Sequence, residues 1–335
     1  MTRVVVIGGG AWGTTLADLL ARKGETVTLW AREPEVVEGI NRDHVNTVFL
    51  PGAPLAPGVR ATNEIAAAVR DAEVVVSAAP SHAVRSVMGE AAGALDKGGR
   101  PLVVSVSKGL EPDRLQPLSC VLADLFGAAA AVAVLSGPSF AEEVYRRQPT
   151  AVVAAARDEA VARRVQQVFA TAQFRVYSST DAVGVELGGA LKNVIAVAAG
   201  ILEGLGLGNN TRAALITRGL AEITRLGVAL GADPFTFAGL AGMGDLILTA
   251  TGALSRNRSL GMAIGQGQTL EQALAGKQSV AEGVNTARAA VELGRRHNVE
   301  LPIAEQVTEV LFRGKAPRQA IADLMERDLK AEQWR

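Results

Sequence analysis

Short apolar runs rich in β-branched residues alternate with amphipathic stretches through the first 180 residues. Val4–Ile7, Thr26–Trp30, Val74–Ser77, Leu102–Val106, Ala131–Leu135, Ala151–Ala155 and Arg175–Tyr177 are too short for helices, and this spacing predicts strands. Between most of them lie segments with helical apolar spacing: Ala11–Lys23, Ile65–Arg70, His82–Ala92 and Glu159–Ala170. Strands that are apolar on both faces and alternate with helices imply a parallel sheet covered on both sides.

After about Asp181 the texture changes. No β-rich run recurs, and long Ala/Leu/Gly stretches of helical period take over. The small hydroxyl residues Ser178, Ser179 and Thr180 read as the N-cap region of a long helix, because such side chains accept free backbone N–H groups. The expected fold is therefore α/β: an N-terminal Rossmann-type parallel-sheet domain over residues 1–180, followed by an all-helical C-terminal domain over residues 181–335.

Composition narrows the partners. The 335 residues carry 34 basic and 34 acidic side chains, so a nucleic acid or an acidic membrane surface is not the expected partner. The longest run without a charge, Leu125–Ala141, is interrupted by Gly127 and by Ser136-Gly137-Pro138, so no transmembrane segment is expected. Only four apolar residues precede the first glycine cluster, which argues against a signal peptide. A single cysteine, Cys120, cannot form an internal disulfide and fits a reducing, cytoplasmic setting. His44, His82 and His297 are scattered without metal-ligand spacing, so no metal is expected.

The first strand runs directly into Gly8-Gly9-Gly10-Ala11-Trp12-Gly13 and then an amphipathic helix. A bare G-x-G-x-x-G could be a simple turn. Placed between a strand and a helix, it reads as a dinucleotide-binding loop: Gly8 for the turn, Gly10 for close approach of a pyrophosphate, Gly13 for helix packing. The phosphates would sit on the helix N-terminus. Where an acid usually binds the adenosine ribose, this chain has Arg32, which suits a 2′-phosphate and favours NADP(H); Glu33 beside it could serve NAD(H).

Val183–Leu202 is apolar all round and should be buried, yet Lys192-Asn193 sits in its middle. A buried lysine has a lowered pKa and is a candidate proton donor or acceptor, whereas the bland alternative is a lysine that snorkels to the surface. The neighbouring small residues Gly188, Gly189 and Ala196 suggest room for a ligand beside it. Two further glycine-rich segments suit an anion: Gly208–Arg212, and Gly239–Asp245 followed by Ser255-Arg256-Asn257-Arg258. Taken singly, Asp245 reads as a first-turn helix acid and Arg256 as a surface charge.

Together these segments resemble the bacterial type of NAD(P)-dependent glycerol-3-phosphate dehydrogenase almost end to end. The carrying stretches are Gly8–Thr14, Asn46–Pro51, Ser107–Gly109, Ser136–Glu143, Leu191–Asn193, Gly208–Arg212, Gly242–Asp245, Ser255–Asn257 and Val280–Gly283. Phe49 stands where this family often has tyrosine, and Ala11 where serine is frequent.

The resemblance implies reversible reduction of dihydroxyacetone phosphate to sn-glycerol 3-phosphate, feeding glycerophospholipid synthesis, in a homodimer. It implies that Lys192 is the proton donor and acceptor. Lys108, Gly137, Ser139, Lys192, Asp245, Ser255, Arg256 and Asn257 match the substrate-contacting set. Ala11, Trp12, Arg32, Phe49, Lys108, Ala141, Arg256, Val280 and Glu282 match the cofactor-contacting set, beside Gly8, Gly10 and Gly13 of the loop. Asp245 is expected to orient Lys192 and keep it charged against desolvation. Lys108 and Glu282 have plainer readings, as a loop charge and a first-turn acid. Two rival functions remain at this level: a two-domain dehydrogenase acting on a hydroxy acid, and a nucleotide sensor without chemistry.

Overall fold

The computed structural model describes residues 1–95, 100–127, 130–276, 281–329 and 331–332. The chain opens with β1 (Arg3–Ile7), α1 (Ala11–Lys23), β2 (Thr26–Trp30), α2 (Pro34–Asp43), β3 (Val45–Asn46), β4 (Leu50–Pro54), β5 (Val59–Thr62) and α3 (Ile65–Val69). It continues with β6 (Val74–Ser77), α4 (Val84–Gly93), β7 (Leu102–Ser105), α5 (Leu118–Phe126), β8 (Ala131–Ser136), α6 (Ala141–Tyr145), β9 (Thr150–Ala155), α7 (Glu159–Phe169) and β10 (Phe174–Ser179). From α8 (Ala182–Gly204) onward the described elements are helical: α9 (Asn209–Ala229), α10 (Pro234–Phe237), α11 (Asp245–Thr251), α12 (Arg256–Gly265), α13 (Leu270–Leu274), α14 (Glu282–Arg296), α15 (Pro302–Arg313) and α16 (Pro317–Met325).

Eight strands form one sheet in the order β10-β9-β8-β7-β6-β1-β2-β5. Six of them, β5-β2-β1-β6-β7-β8, are parallel and follow the doubly wound 3-2-1-4-5-6 order, with the reversal between β1 and β6. Alternate residues of these strands enter two cores, Val4, Val6, Val76 and Val104 on one face and Val5, Ile7, Val75 and Val103 on the other. That explains their continuous apolar character.

Three expectations need correction. The sheet is not wholly parallel: β9 meets β8 antiparallel, the connection through the short helix α6 returning the chain directly beside the strand it left. Three strands, β3, β4 and β5, escape the apolar pattern, because the proline- and glycine-containing segment from Val45 to Thr62 carries little of it. Finally, Asp181 and not Ser178–Thr180 caps α8, its carboxylate accepting from the Gly184 N–H at 2.8 Å, while Ser179 Oγ accepts from the Asp181 N–H at 3.1 Å.

The reversed pair β9–β10 determines where α8 runs. β10 carries the chain away from the C-terminal end of β8, and α8 returns packed against β8. At about 1.5 Å per residue, ten residues of helix climb about 15 Å, which brings Lys192 level with the end of β8. Gly189 marks the contact: a Cβ there would stand 2.5 Å from Ser136 Oγ.

Around α8 the helices α9, α11, α12, α14 and α15 complete a third core. α12 crosses it closely because glycines face each other: a Cβ on Gly200 would overlap the Arg258 carbonyl, and one on Gly261 the Val197 carbonyl. Alone among the described helices, α8 is long and apolar enough to cross a membrane, and its apolar span is buried within the protein.

Candidate active site

The glycine loop lies between β1 and α1 at the strand reversal. Gly8 has φ +129°, a conformation glycine adopts freely, and its N–H donates to the Trp30 carbonyl at 3.0 Å. A Cβ on Gly13 would overlap the Gly8 carbonyl, so helix and loop are in backbone contact. At Gly10 nothing lies within 4 Å of where a Cβ would stand, and no side chain caps α1. Open space beside uncapped N–H groups is what a pyrophosphate requires. The residues present fit a dinucleotide.

Further contacts support that loop. Asn46 Nδ2 donates to the Gly9 carbonyl and to Thr14 Oγ1, both at 2.8 Å, while its Oδ1 accepts from the Phe49 N–H at 3.1 Å. Phe49 is thereby tied to the glycine loop. Trp12 packs its ring 6.5 Å from that of Phe174, and the Ala141 carbonyl accepts from Thr15 Oγ1 at 3.2 Å. Arg32 lies exposed beyond β2, with Nη2 on Glu33 Oε1 at 2.8 Å.

At the ends of β7 and β8 a buried polar cluster forms. Lys192, on α8, and Asp245, the first residue of α11, are 5% and 1% exposed. Lys192 Nζ donates to Asp245 Oδ1 and, at 2.6 Å, to Thr249 Oγ1. Lys108 Nζ donates to Asp245 Oδ2 at 2.6 Å and to the Gly137 carbonyl at 2.9 Å. Ser139 Oγ also donates to that carbonyl, at 3.0 Å. One carboxylate thus joins a helix lysine to a loop lysine.

Burial pulls the Lys192 pKa down to about 7; the Asp245 carboxylate opposes that fall, and the Lys108 charge adds to it. The expected opposition of Asp245 to desolvation is present, and desolvation is the larger of the two effects. Lys192 titrates close to neutrality, which suits a group that must give and take a proton.

The glycines beside the lysine also need reinterpretation. They were expected to leave room for a ligand, but a Cβ on Gly188 would stand 2.6 Å from the Ala241 carbonyl. With Gly189 against Ser136, they let α8 pack closely on β8 and on the turn before α11. That packing brings Lys192, Lys108 and Asp245 together.

The segment before α12 contributes differently from residue to residue. Ser255 is buried and caps α12, its Oγ accepting from the Arg258 N–H at 3.2 Å. Asn257 is buried too; its Nδ2 donates to Asn193 Oδ1 at 3.0 Å and its Oδ1 accepts from the Gly283 N–H at 2.9 Å. Arg256 is exposed, yet enough protein surrounds it to lower its pKa, with Glu282 opposing. Glu282 opens α14 and accepts from the Ser81 N–H at 3.1 Å and from its hydroxyl. Val280 lies outside the described residues. Gly208 stands at the N-cap of α9 without a side-chain cap.

Thr249, Asn46 and Ser81 were not singled out in the sequence. Asn46 lies inside a stretch that carried the resemblance, whereas Thr249 had only its position one helical turn after Asp245 as a signal.

The comparisons agree across the chain. Residues 3–162 match the family described as NAD-dependent glycerol-3-phosphate dehydrogenase N-terminus, and residues 181–322 its C-terminus. A glycerol-3-phosphate dehydrogenase [NAD(P)+] of Geobacter sulfurreducens is 57% identical over 334 residues, 99% of either chain. One from Myxococcus xanthus is 52% identical over 329 residues, 98% of either chain. The crystal structure of glycerol-3-phosphate dehydrogenase from Coxiella burnetii superposes with a TM-score of 0.92 at 37% identity, covering 97% of this chain and 99% of that one. With a parallel sheet ending in a dinucleotide loop and a buried lysine at its mouth, the chain belongs to the NAD-dependent glycerol-3-phosphate dehydrogenase family.

Proposed function

We propose that Lys192, held by Asp245 and Thr249, exchanges the proton in the reversible NAD(P)H-dependent reduction of dihydroxyacetone phosphate to sn-glycerol 3-phosphate. The observation that carries this assignment is the buried Asp245 carboxylate shared by Lys192 and Lys108, at the sheet end where the glycine loop opens. The nicotinamide, when bound, supplies the hydride for the carbonyl carbon.

Negative charge growing on the substrate oxygen is then met by the Lys192 ammonium, which stabilises it and gives up a proton. In the reverse direction neutral Lys192 takes the proton from the alcohol. Lys108 keeps a second positive charge beside the site while anchored to Gly137. Among the described residues Arg256 makes no hydrogen bond, so its guanidinium is free for a phosphate, which it matches in geometry. Buried Asn257 acts chiefly on Asn193, whose amide it orients next to Lys192.

The Arg256 guanidinium supports a phosphorylated substrate, whose oxygens its fork matches. Lys108, Lys192 and Arg256 face Asp245 and, beside Arg256, Glu282, so the cluster keeps at most one excess positive charge. Arg32 favours NADP(H), and Glu33 accommodates NAD(H). Gly8, Gly10, Ala11, Trp12, Gly13, Phe49, Ala141, Val280 and Glu282 complete the proposed cofactor set, and Gly137, Ser139 and Ser255 the substrate set. The proposal includes a domain boundary between residues 180 and 181, a homodimer and a cytoplasmic setting.

The test is the initial rate of NADPH and NADH oxidation with dihydroxyacetone phosphate against a panel of keto acids. Turnover confined to the triose phosphate is expected; turnover with keto acids only would reject the substrate assignment. Tight NADPH binding with no turnover on any of them would favour a sensor.

A further inference from the structure

A separate open cleft of about 230 Å³, with the exposed Arg22, Lys23 and Arg147 at its rim, lies between α1, α6 and the turn leading into β10. Its apolar wall is formed by Leu19, Val144 and Phe174, and its polar lining includes Arg22, Lys23 and Arg147. None of the proposed catalytic residues lines it. Three cations face one acid, Asp18, an excess of two positive charges. Asp18 is fully engaged, accepting from Arg22 Nε at 2.7 Å and from the Ala56 N–H at 2.7 Å, and Arg22 Nη2 donates to the Pro54 carbonyl at 3.2 Å. Lys23 donates to the carbonyls of Gln167 and Val168.

Arg147 is the unusual member. The Arg147 N–H donates to the Val144 carbonyl at 2.9 Å and the Gln148 N–H to that of Glu143 at 3.0 Å, a Schellman closure of α6. That closure places Arg147 at the left-handed position usually taken by glycine, and its φ is +58°. A long charged side chain in a conformation that disfavours side chains points to a role for the guanidinium. Among the described residues it has no hydrogen-bond or ion-pair partner.

We propose that this cleft binds a small organic phosphate monoester, its ester group against Leu19 and Phe174 and its phosphate on the Arg147 guanidinium, with the remaining Nη1 of Arg22 beside it. The excess of two charges matches a phosphate dianion, and an arginine fork matches its oxygens. A cavity below the usual range of about 300–1,000 Å³ for drug-sized ligands takes only a small occupant. The site shares α1 with the glycine loop and Phe174 with Trp12, so it lies directly behind the cofactor residues.

Phenyl phosphate is a suitable probe, measured by isothermal titration calorimetry on full-length Arg256→Ala, which weakens phosphate binding in the catalytic cleft. One equivalent is expected to bind, and adding Arg147→Gly should weaken it at least tenfold. Arg147→Gly also relieves the backbone, so its melting temperature should equal or exceed that of the parent, separating lost binding from lost folding. Benzoate, carrying a carboxylate in place of the phosphate, should bind at least tenfold more weakly. No binding of phenyl phosphate up to 10 mM, equal binding with and without Arg147→Gly, or benzoate binding as tightly would overturn the proposal.

Discussion

Lys192 and Asp245 are 53 residues apart in the chain and form a buried ion pair inside the protein. Each belongs to a segment that alone has a plainer explanation. Joined, they make a buried lysine whose pKa is pulled down to about 7 and whose charge faces a shared carboxylate.

Lys192→Ala should cost turnover about 10²–10⁴-fold, the usual range for loss of a general acid. NADPH affinity should stay nearly unchanged, since the glycine loop is remote in contact. Steady-state rates and cofactor titration measure both; near wild-type turnover would remove Lys192 from the mechanism.

The pH profiles should run in opposite directions. Reduction needs Lys192 protonated, so its rate should fall as pH rises through the region of pH 7, while oxidation should rise over the same range. Because Asp245 raises the lysine pKa, Asp245→Asn should move both limbs to lower pH. An unmoved profile in that variant would show that another group controls the titration.

Buried acids give stability a separate pH dependence. Burial raises Glu222 to about 7, although its carboxylate accepts from the N–H groups of Ile303 and Ala304. The folded state then binds more protons than the unfolded one between about pH 4.5 and 7, so this contribution is present in acid and is lost as pH rises through 7. Across that window the loss is on the order of 3 kcal/mol. Glu222→Gln keeps an acceptor and removes the titration, so the fall in stability should become shallower. Lys192 acts in the other window: with its pKa lowered to about 7, stability should rise with pH between about 7 and 10.5. Denaturant melts at several pH values test both signs.

Arg32→Ala should weaken NADPH by about 10-fold or more while changing NADH little, since a charge-assisted bond to a phosphate contributes about 1.5–3 kcal/mol. Equal effects on the two cofactors would make Arg32 a bystander.

Gly200→Ala should destabilise the protein by about 1–3 kcal/mol through overpacking against α12. It should also raise the KM for the triose phosphate, because displacing α12 moves Arg256 and Asn257. Unchanged KM with reduced stability would place the phosphate site elsewhere.

Much of the fold was legible locally. Thr26–Trp30 and Val74–Ser77 coincide with observed strands, and Ala11–Lys23 with an observed helix, because short apolar runs and helical spacing each bury only one way. The glycine loop was legible for the same reason: its motif, strand and helix are neighbours in the chain. β3–β5 were not, since their pairing rests on partners and not on composition.

The sequence by itself determined the parallel Rossmann sheet, the dinucleotide loop, the buried helix carrying Lys192, and the family to which they belong. Tertiary structure alone decided that β9 reverses, that Gly188 and Gly189 serve close packing of α8, and that Thr249 and Asn46 hydrogen-bond into the candidate site. It also decided that Lys192 titrates near neutrality. Periodicity and motifs record what each segment buries. Desolvation and close approach depend on what is packed against it, and for Lys192 that is a carboxylate and a second lysine from elements far away in the chain.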